Sequence, residues 1–314
     1  MVLRLPRQGA LIAENLSGRN VLVVGADGFI GSHLVPQLVT ASADVSAVVE
    51  KFPQTENLAK RLVGSRIIEC DIRSATQVKN VIGSAAPDWI IHLAAAGVSD
   101  LFLSERATLR VNLDGAINVL KAGLSAQRIV MARTPLERSV SNVYSASKAA
   151  AWSFAQMYAR RIDLPVVGAM IFHCYGPGQS PRNVLPAALM AARADQDFPM
   201  TLGDQVFDWI YVDDVCAGLI GIAAADLDPG STVELGTGIG TPLGEVVQKL
   251  FGILDPPTGQ PRLGVLPHRP GEENELIAAT QLSFELTGWR ANIDLDAGLR
   301  RFAQLHKTAQ ENQN

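Results

Sequence analysis

The sequence predicts an α/β protein built on a doubly wound parallel sheet, with a smaller mixed α/β portion toward the C-terminus. Three observations carry that reading. Short apolar, β-branched runs recur through the first half of the chain, helical stretches separate them, and the first run ends in a glycine-spaced turn. The 314 residues are 47% apolar and 18% charged, which excludes a disordered chain and leaves ample core. A formal net charge of -4 gives no electrostatic case for nucleic acid or an anionic membrane as partner. The three cysteines, Cys70, Cys174 and Cys216, show neither metal spacing nor a disulfide framework, so a reducing cytoplasm and no metal are expected. The longest apolar run, residues 216–225, is far short of the roughly 18 residues of a membrane span. The mixed N-terminus, with Glu14 interrupting its apolar stretch, does not read as a secretory signal.

In chain order, Asn20 to Val24 form the first strand. The turn Gly25-Ala26-Asp27-Gly28-Phe29-Ile30-Gly31 follows, then an amphipathic helix through Val39, the opening of a βαβ unit. Pro36 lies inside that helix, where it removes one hydrogen bond and should kink the axis. Further strands are predicted at 45–49, 66–70, 89–93, 128–132 and 166–172, with helices at 112–125 and 146–161. Six strands alternating with helices give the parallel sheet. After Phe172 the pattern turns irregular, with turn-rich stretches at 173–181, 255–261 and 267–271. This places an N-terminal extension at 1–17, a dinucleotide-binding domain at 18–175, and an interleaved substrate portion at 176–314. Residues 1–15 and 307–314 read as poorly ordered ends.

Gly25, Gly28 and Gly31 stand where backbone must turn tightly and approach a pyrophosphate. The helix that Phe29 and Ile30 open would aim unpaired N–H groups at that anion. Glu50 ends the second strand about twenty residues on, where a carboxylate accepts from ribose hydroxyls and repels a 2′-phosphate. That favours NAD; the adjacent Lys51 leaves NADP open. Asp71, ending the third strand, is the candidate for the adenine amino group, or else a turn-capping residue. Tyr144 and Lys148 lie four residues apart, on one face of a helix. A neighbouring ammonium is expected to lower the phenol toward neutrality and make it a general acid or base. Lys148 can also bond the nicotinamide ribose.

With those motifs go Cys70-Asp71-Ile72, His92-Leu93-Ala94-Ala95, Asn112-Leu113-Asp114-Gly115 and Tyr175-Gly176-Pro177-Gly178. Trp209-Ile210-Tyr211-Val212-Asp213-Asp214-Val215 and Arg269-Pro270-Gly271 extend the set. Together they resemble the extended short-chain dehydrogenase/reductases, and within them the NAD-dependent epimerase/dehydratase group that modifies nucleotide sugars. The resemblance spans about residues 18 to 303 and implies a Rossmann-like sheet, NAD as cofactor and a nucleotide sugar as substrate. It implies a catalytic set of Tyr144, Lys148, Asn112 and a hydroxyl from the end of the fifth strand. Thr134 is that candidate, with Ser139, Ser141 and Ser145 as alternatives, because the segment to Tyr144 is shorter than in the family. Ile72, Leu93, Ala94, Ala95 and Phe172 are implied on the cofactor side, and His173, Asn183 and Arg269 on the substrate side. A homodimer through the helices at 112–125 and 146–161 is also implied, although Ala149, Ala150, Ala151, Trp152 and Ala155 equally suit packing onto the sheet.

The chain departs from the family where substrate phosphates are gripped. Met170 and His173 stand where Arg and Asn are usual, and Phe207 replaces another Arg. Phe cannot substitute electrostatically for a bidentate guanidinium. His173 reads either as a compensating donor or as a structural histidine. Thr134 is followed by Pro135, Leu136 and Glu137 rather than the Asp-Glu pair of the family's dehydratases, so dehydration is disfavoured. A 4-epimerase and a ketoreductase remain, and Glu50 tilts the reading toward the epimerase. A third reading is a dinucleotide-binding regulator without catalysis.

Overall fold

The computed structural model describes residues 16–52, 55–98, 103–254, 259–268 and 273–311. Two compact units emerge: Met1–Met170 with Cys216–Val233 and Gln281–Trp289, and Ile171–Val215 with Glu234–Thr280 and Arg290–Asn314.

The first unit carries the parallel sheet. Its strands are β1 (Asn20–Val24), β2 (Asp44–Val49), β3 (Arg66–Glu69), β4 (Trp89–His92), β5 (Arg128–Arg133), β6 (Val166–Ile171) and, added at the edge, β10 (Thr232–Leu235). The order is β10-β6-β5-β4-β1-β2-β3. β1 pairs in parallel with both β2 and β4, so the winding reverses beside β1. In such sheets the crevice at that reversal, at the carboxyl ends of the strands, is where ligands bind. Valine- and isoleucine-rich strands suit this sheet because helices cover both faces, and all six residues of β6 are buried. The six sequence-predicted strands all form, within a residue or so at their ends. β10 was not among them, since Thr232-Val233-Glu234-Leu235 alternates polar and apolar in a region that otherwise reads as irregular.

The helices around the sheet are α1 (Phe29–Thr40), α2 (Glu56–Arg61), α3 (Ala75–Ala85), α4 (Glu105–Leu109), α5 (Ala116–Ala122) and α6 (Val143–Ile162). α1 runs on through Pro36 to Thr40. The helix predicted over 112–125 is instead a π-helical turn, Arg110–Gly115, feeding α5, which stops at Ala122. Local polarity explains it: the wide turn swings Asn112 inward to polar partners described below, and Gly115 lies so near Ile72 that a Cβ would come within 2.6 Å of its Cδ1. On α6, Ala151, Trp152, Ala155 and Ala159 belong to the buried cluster with Ile90, Ile129 and Val166. The small and apolar face therefore packs on the sheet, while Ala149 and Ala150 stay partly exposed.

The second unit centres on β9 (Val206–Tyr211), which pairs with β7 (His173–Tyr175), β11 (Gly240–Pro242) and β13 (Glu275–Leu276). Fully buried Asp208 ties it together: its carboxylate accepts from Thr237 N–H (2.8 Å), Thr237 Oγ1 (2.6 Å), Gly238 N–H (2.8 Å) and Ala278 N–H (3.2 Å). A buried carboxylate survives only when saturated with donors, and here backbone supplies most of them. Around this sheet lie α7 (Val184–Arg193), α9 (Leu243–Ile253) and α11 (Leu295–Glu311), with a short ladder of β8 (Phe198–Pro199) and β12 (Pro261–Arg262); α8 (Val212–Ala224) and α10 (Thr280–Thr287) are the remaining α-helices described. α11 carries helix into the tail that composition reads as disordered, while residues 1–15 and 312–314 lie outside the described residues.

Two glycines separate packing demand from conformational cost. A Cβ on Gly31 would overlap the Gly25 carbonyl oxygen and sit 2.8 Å from Ala26 Cα, whereas one on Gly83, exposed on α3, would touch nothing. Urea unfolding should show Gly31→Ala destabilised by roughly 1–3 kcal/mol and Gly83→Ala stabilised by about 0.5–1 kcal/mol.

Candidate active site

The glycine turn ends β1 in a tightly held corner. The N–H groups of Gly25 and Ala26 both donate to the Val48 carbonyl at 3.0 Å, and those of Leu93 and Ala94 donate to Val24 O at 2.8 and 3.0 Å. Gly25 has φ +85°, and a Cβ there would lie 2.7 Å from Ala94 N. Only glycine fits. Gly28 is different: it is exposed, caps α1 without any side-chain bond, and a Cβ would meet only Gly25 O, at 3.3 Å. No acidic residue occupies the first turn of α1, where Phe29 and Ile30 begin the helix. The helix thus points its first N–H groups into space kept open by a missing side chain, which fits a pyrophosphate.

Beyond the turn, Glu50 is exposed at the end of β2 and Asp71 follows β3. Arg73 joins them, with Nε 2.8 Å from Asp71 Oδ1 and Nη2 3.3 Å from Glu50 Oε1. That guanidinium holds the Asp71 carboxyl below its ordinary range. Half-buried Asp27 stands beside Glu50 and is raised, by burial first and by the Glu50 charge. Sequence reasoning noted neither Arg73 nor Asp27 as anything but motif letters; their signal is spatial. Lys51 is exposed. Ile72 points into the core cluster while its carbonyl accepts from Asn118 Nδ2 at 2.9 Å. Leu93 and Ala94 are partly exposed after β4, Ala95 is exposed, and Phe172 is buried.

Tyr144 and Lys148 occupy the first turns of α6. The helix starts there because Asn142 and Ser145 form a reciprocal capping box: Asn142 Oδ1 accepts from Ser145 N–H at 2.9 Å, and Ser145 Oγ from Asn142 N–H at 3.1 Å. That commits Ser145 to the cap. Lys148 is 3% exposed, and burial pulls it down to about 8. The expected lowering of the phenol does not occur. Burial first, then the negative charge of Glu137, push Tyr144 above its ordinary value, because desolvation penalises a phenolate more than any nearby cation favours it. Buried His92, at the end of β4, has an Nδ1 without a partner; burial and the Lys148 charge press it down to about 3, so it is neutral.

Asn112 braces this group from the π-helical turn. Its Nδ2 donates to Ala96 O and Ser147 Oγ, both at 2.9 Å, and its Oδ1 accepts from Ala96 N–H at 2.8 Å. Ser147 in turn donates to Tyr144 O at 2.7 Å. Thr134, buried, caps a 3-10 turn (Pro135–Arg138): its Oγ1 accepts from Leu136 N–H at 3.4 Å. Ser139 donates to Leu136 O, and Ser141 is exposed.

In the second unit, His173 stacks on Phe207 with centroids 3.9 Å apart and planes at 11°, and lies 5.2 Å from the Trp209 ring. Burial lowers it to about 4, and its Nδ1 is buried without a partner. It is a neutral ring in an aromatic cluster, not a cation replacing a lost arginine. Asn183 is the N-cap of α7, and Arg269 lies outside the described residues.

A model of the NAD dependent epimerase/dehydratase family matches residues 21–236, and the chain belongs to that family. A probable dTDP-glucose 4,6-dehydratase from Sinorhizobium fredii is 28% identical over 90% of this chain and 91% of its own. The UDP-glucose 4-epimerase from Thermotoga maritima superposes with TM-score 0.81 at 20% identity, covering 93% of this chain and 99% of its own. A double mutant of the Streptomyces venezuelae dTDP-glucose 4,6-dehydratase, solved with NAD, gives TM-score 0.82 at 23% identity over 93% and 98%. At these identities the two structures establish the shared fold.

The relatives correct one expectation. Dehydration was disfavoured because no Asp-Glu follows Thr134, yet dTDP-glucose 4,6-dehydratases from Sinorhizobium fredii and Neisseria gonorrhoeae match over 90% and 94% of the chain. Elimination requires an acid and a base placed in space, and a dipeptide after one threonine is only a linear proxy for that. The restriction to epimerase or ketoreductase therefore falls. Among the described residues no helix is long and apolar enough to cross a membrane.

His92 and His173 set an acid limit on stability. Folded, they titrate at about 3 and about 4; unfolded, at the ordinary 6.5. Below pH 6.5 the unfolded chain binds more protons, so stability that is full above 6.5 is lost as pH falls toward the folded values, by up to about 1.4 kcal/mol per pH unit per histidine. Urea midpoints measured from pH 7 to 4 should fall steeply, and His173→Phe should remove one proton's share of that slope.

Proposed function

We propose that this protein modifies a nucleotide sugar by transient, NAD-dependent oxidation at a ring carbon. The observation that carries the reading is buried Lys148 one helical turn from partly buried Tyr144, in the same unit as a glycine turn whose open helix N-terminus suits a pyrophosphate. Gly25, Gly28 and Gly31, with the N–H groups of Phe29 and Ile30, would hold the pyrophosphate. Glu50 would accept from the adenosine ribose and Asp71 from the adenine amino group, with Leu93, Ala94, Ala95 and Phe172 toward the nicotinamide. Bound there, NAD would supply reversible hydride acceptance at the sugar carbon.

The chain's own part is the proton. Tyr144 keeps its proton at neutral pH, so it is set to donate to a sugar carbonyl oxygen and to receive the hydroxyl proton in the reverse direction. Lys148, titrating at about 8, sits near enough to neutrality to balance charge on the phenol as that proton moves. Thr134 supplies a hydroxyl for the same oxygen, and Asn112 holds α6 to the loop after β4. His173 and Asn183, the candidate substrate-side residues, carry no positive charge, His173 being a neutral buried ring, so they would give sugar-nucleotide phosphates no cationic help.

Proton NMR of product from UDP-glucose and dTDP-glucose separates the outcomes: a new methyl doublet means loss of water, a galacto-configured ring means epimerisation. Tyr144→Phe should cut turnover by about 10²–10⁴-fold while leaving the fold intact. Undiminished turnover would sink the assignment. Denaturing fresh protein should release NAD in near-stoichiometric amount, read by ultraviolet absorbance and mass; preferential NADPH binding would instead implicate Lys51.

A further inference from the structure

A buried ion pair adjoins the tyrosine and lysine. Arg133, the last residue of β5, sends Nε and Nη2 to Glu137 Oε2 at 2.9 and 2.7 Å. Its Nη1 donates to Thr232 Oγ1 on β10 at 2.7 Å, and its guanidinium carbon lies 4.4 Å from the ring centroid of Trp152, one turn beyond Lys148 on α6. The other carboxylate oxygen, Glu137 Oε1, accepts the Thr134 N–H at 3.1 Å. The two side chains are 12% and 2% exposed. Room is made for them on β6, where a Cβ at Gly168 would press on Arg133 Cδ at 2.7 Å and on Thr232 Oγ1 and Trp152 Cη2 at 3.0 Å.

We propose that the Arg133–Glu137 pair is the positioning element of the proton-transfer site: it holds Thr134 at the end of β5 and sets the charge felt by Lys148 and Tyr144. The proposal rests on the reading of Tyr144 and Lys148 as the proton-transfer pair. A buried ion pair is a poor device for stability alone, since apolar residues of similar volume usually do as well. This one is placed to do something apolar residues cannot. Its carboxylate acts electrostatically on both ionisable groups and its guanidinium on Lys148, while the guanidinium itself packs on Trp152, one turn further along the lysine's helix. The charged or titratable groups around Lys148 are Glu137 from the 3-10 turn, Arg133 from β5, neutral His92 from β4 and Tyr144 on its own helix. The two halves of the pair push Lys148 in opposite directions, the glutamate up and the arginine down.

That opposition gives the test. In full-length protein labelled with [13Cε]lysine, the Lys148 resonance, assigned with Lys148→Met, should titrate near 8. Glu137→Gln should lower it and Arg133→Met should raise it, each by about one pH unit, with turnover's pH midpoint following. The double variant R133M/E137L should return it toward the wild-type value. Merely loosened packing admits water and raises Lys148 in every variant; that result, or no movement, overturns the proposal. If Glu137→Gln does not fold, Arg133→Met against the double variant isolates the same carboxylate charge. Failure of the underlying reading shows separately, as full turnover by Tyr144→Phe.

Discussion

Burying an ammonium is the constraint around which the first unit is arranged. Lys148 loses most of its water on α6, and that desolvation is the largest influence on it, pulling it below its ordinary value. The protein answers with Glu137 nearby, and then must neutralise Glu137 itself, which brings in Arg133, Thr232 and the ring of Trp152. His92 stays neutral because it too is buried, and the same ammonium adds to the penalty on a second charge. One buried ammonium thus draws in residues from β4, β5, β10 and α6. The titration of Lys148 near 8 is the net result of burial opposed by one carboxylate, and it is what leaves the lysine able to respond to the tyrosine.

The other half of the unit is governed by how closely backbones can approach. Gly25 and Gly31 are there because β1, the loop after β4 and the start of α1 leave no volume for a methyl group. Gly28 leaves space on the outer side, where among the described residues an added Cβ would meet only the Gly25 carbonyl oxygen. Carboxylates at the ends of β2 and β3 then share Arg73, so their charge is partly spent within the protein before any ligand arrives. Since the Arg73 contacts are solvent-exposed, they orient the two acids more than they stabilise the fold.

The second unit answers a different need. Asp208 is satisfied almost wholly by backbone donors from two separate segments, so it organises the short strands around β9 where their own pairing is sparse. The aromatic stack of His173 on Phe207 shows what replaced charge there: a neutral ring packed face to face. Epimerase and dehydratase relatives share the scaffold, so the scaffold does not by itself select the reaction.

By itself, the sequence determined the six-strand alternation, the glycine turn, the tyrosine–lysine spacing and the family, because periodicity and short motifs are local properties of a chain. It singled out Asn112 through a motif, but not the π-helical turn that swings it inward, nor Ser147 as its partner. It missed β10, an edge strand whose partner lies some sixty residues away, and it read the phenol's ionisation backwards. It also took a missing Asp-Glu as evidence against dehydration. These failures share a cause. Burial, charge compensation and the spatial pairing of acid with base are set by which distant segments meet. Arg133, Glu137, Thr232 and Trp152 carry no motif, and only the folded sheet, with Gly168 making room between them, brings their charges against Lys148.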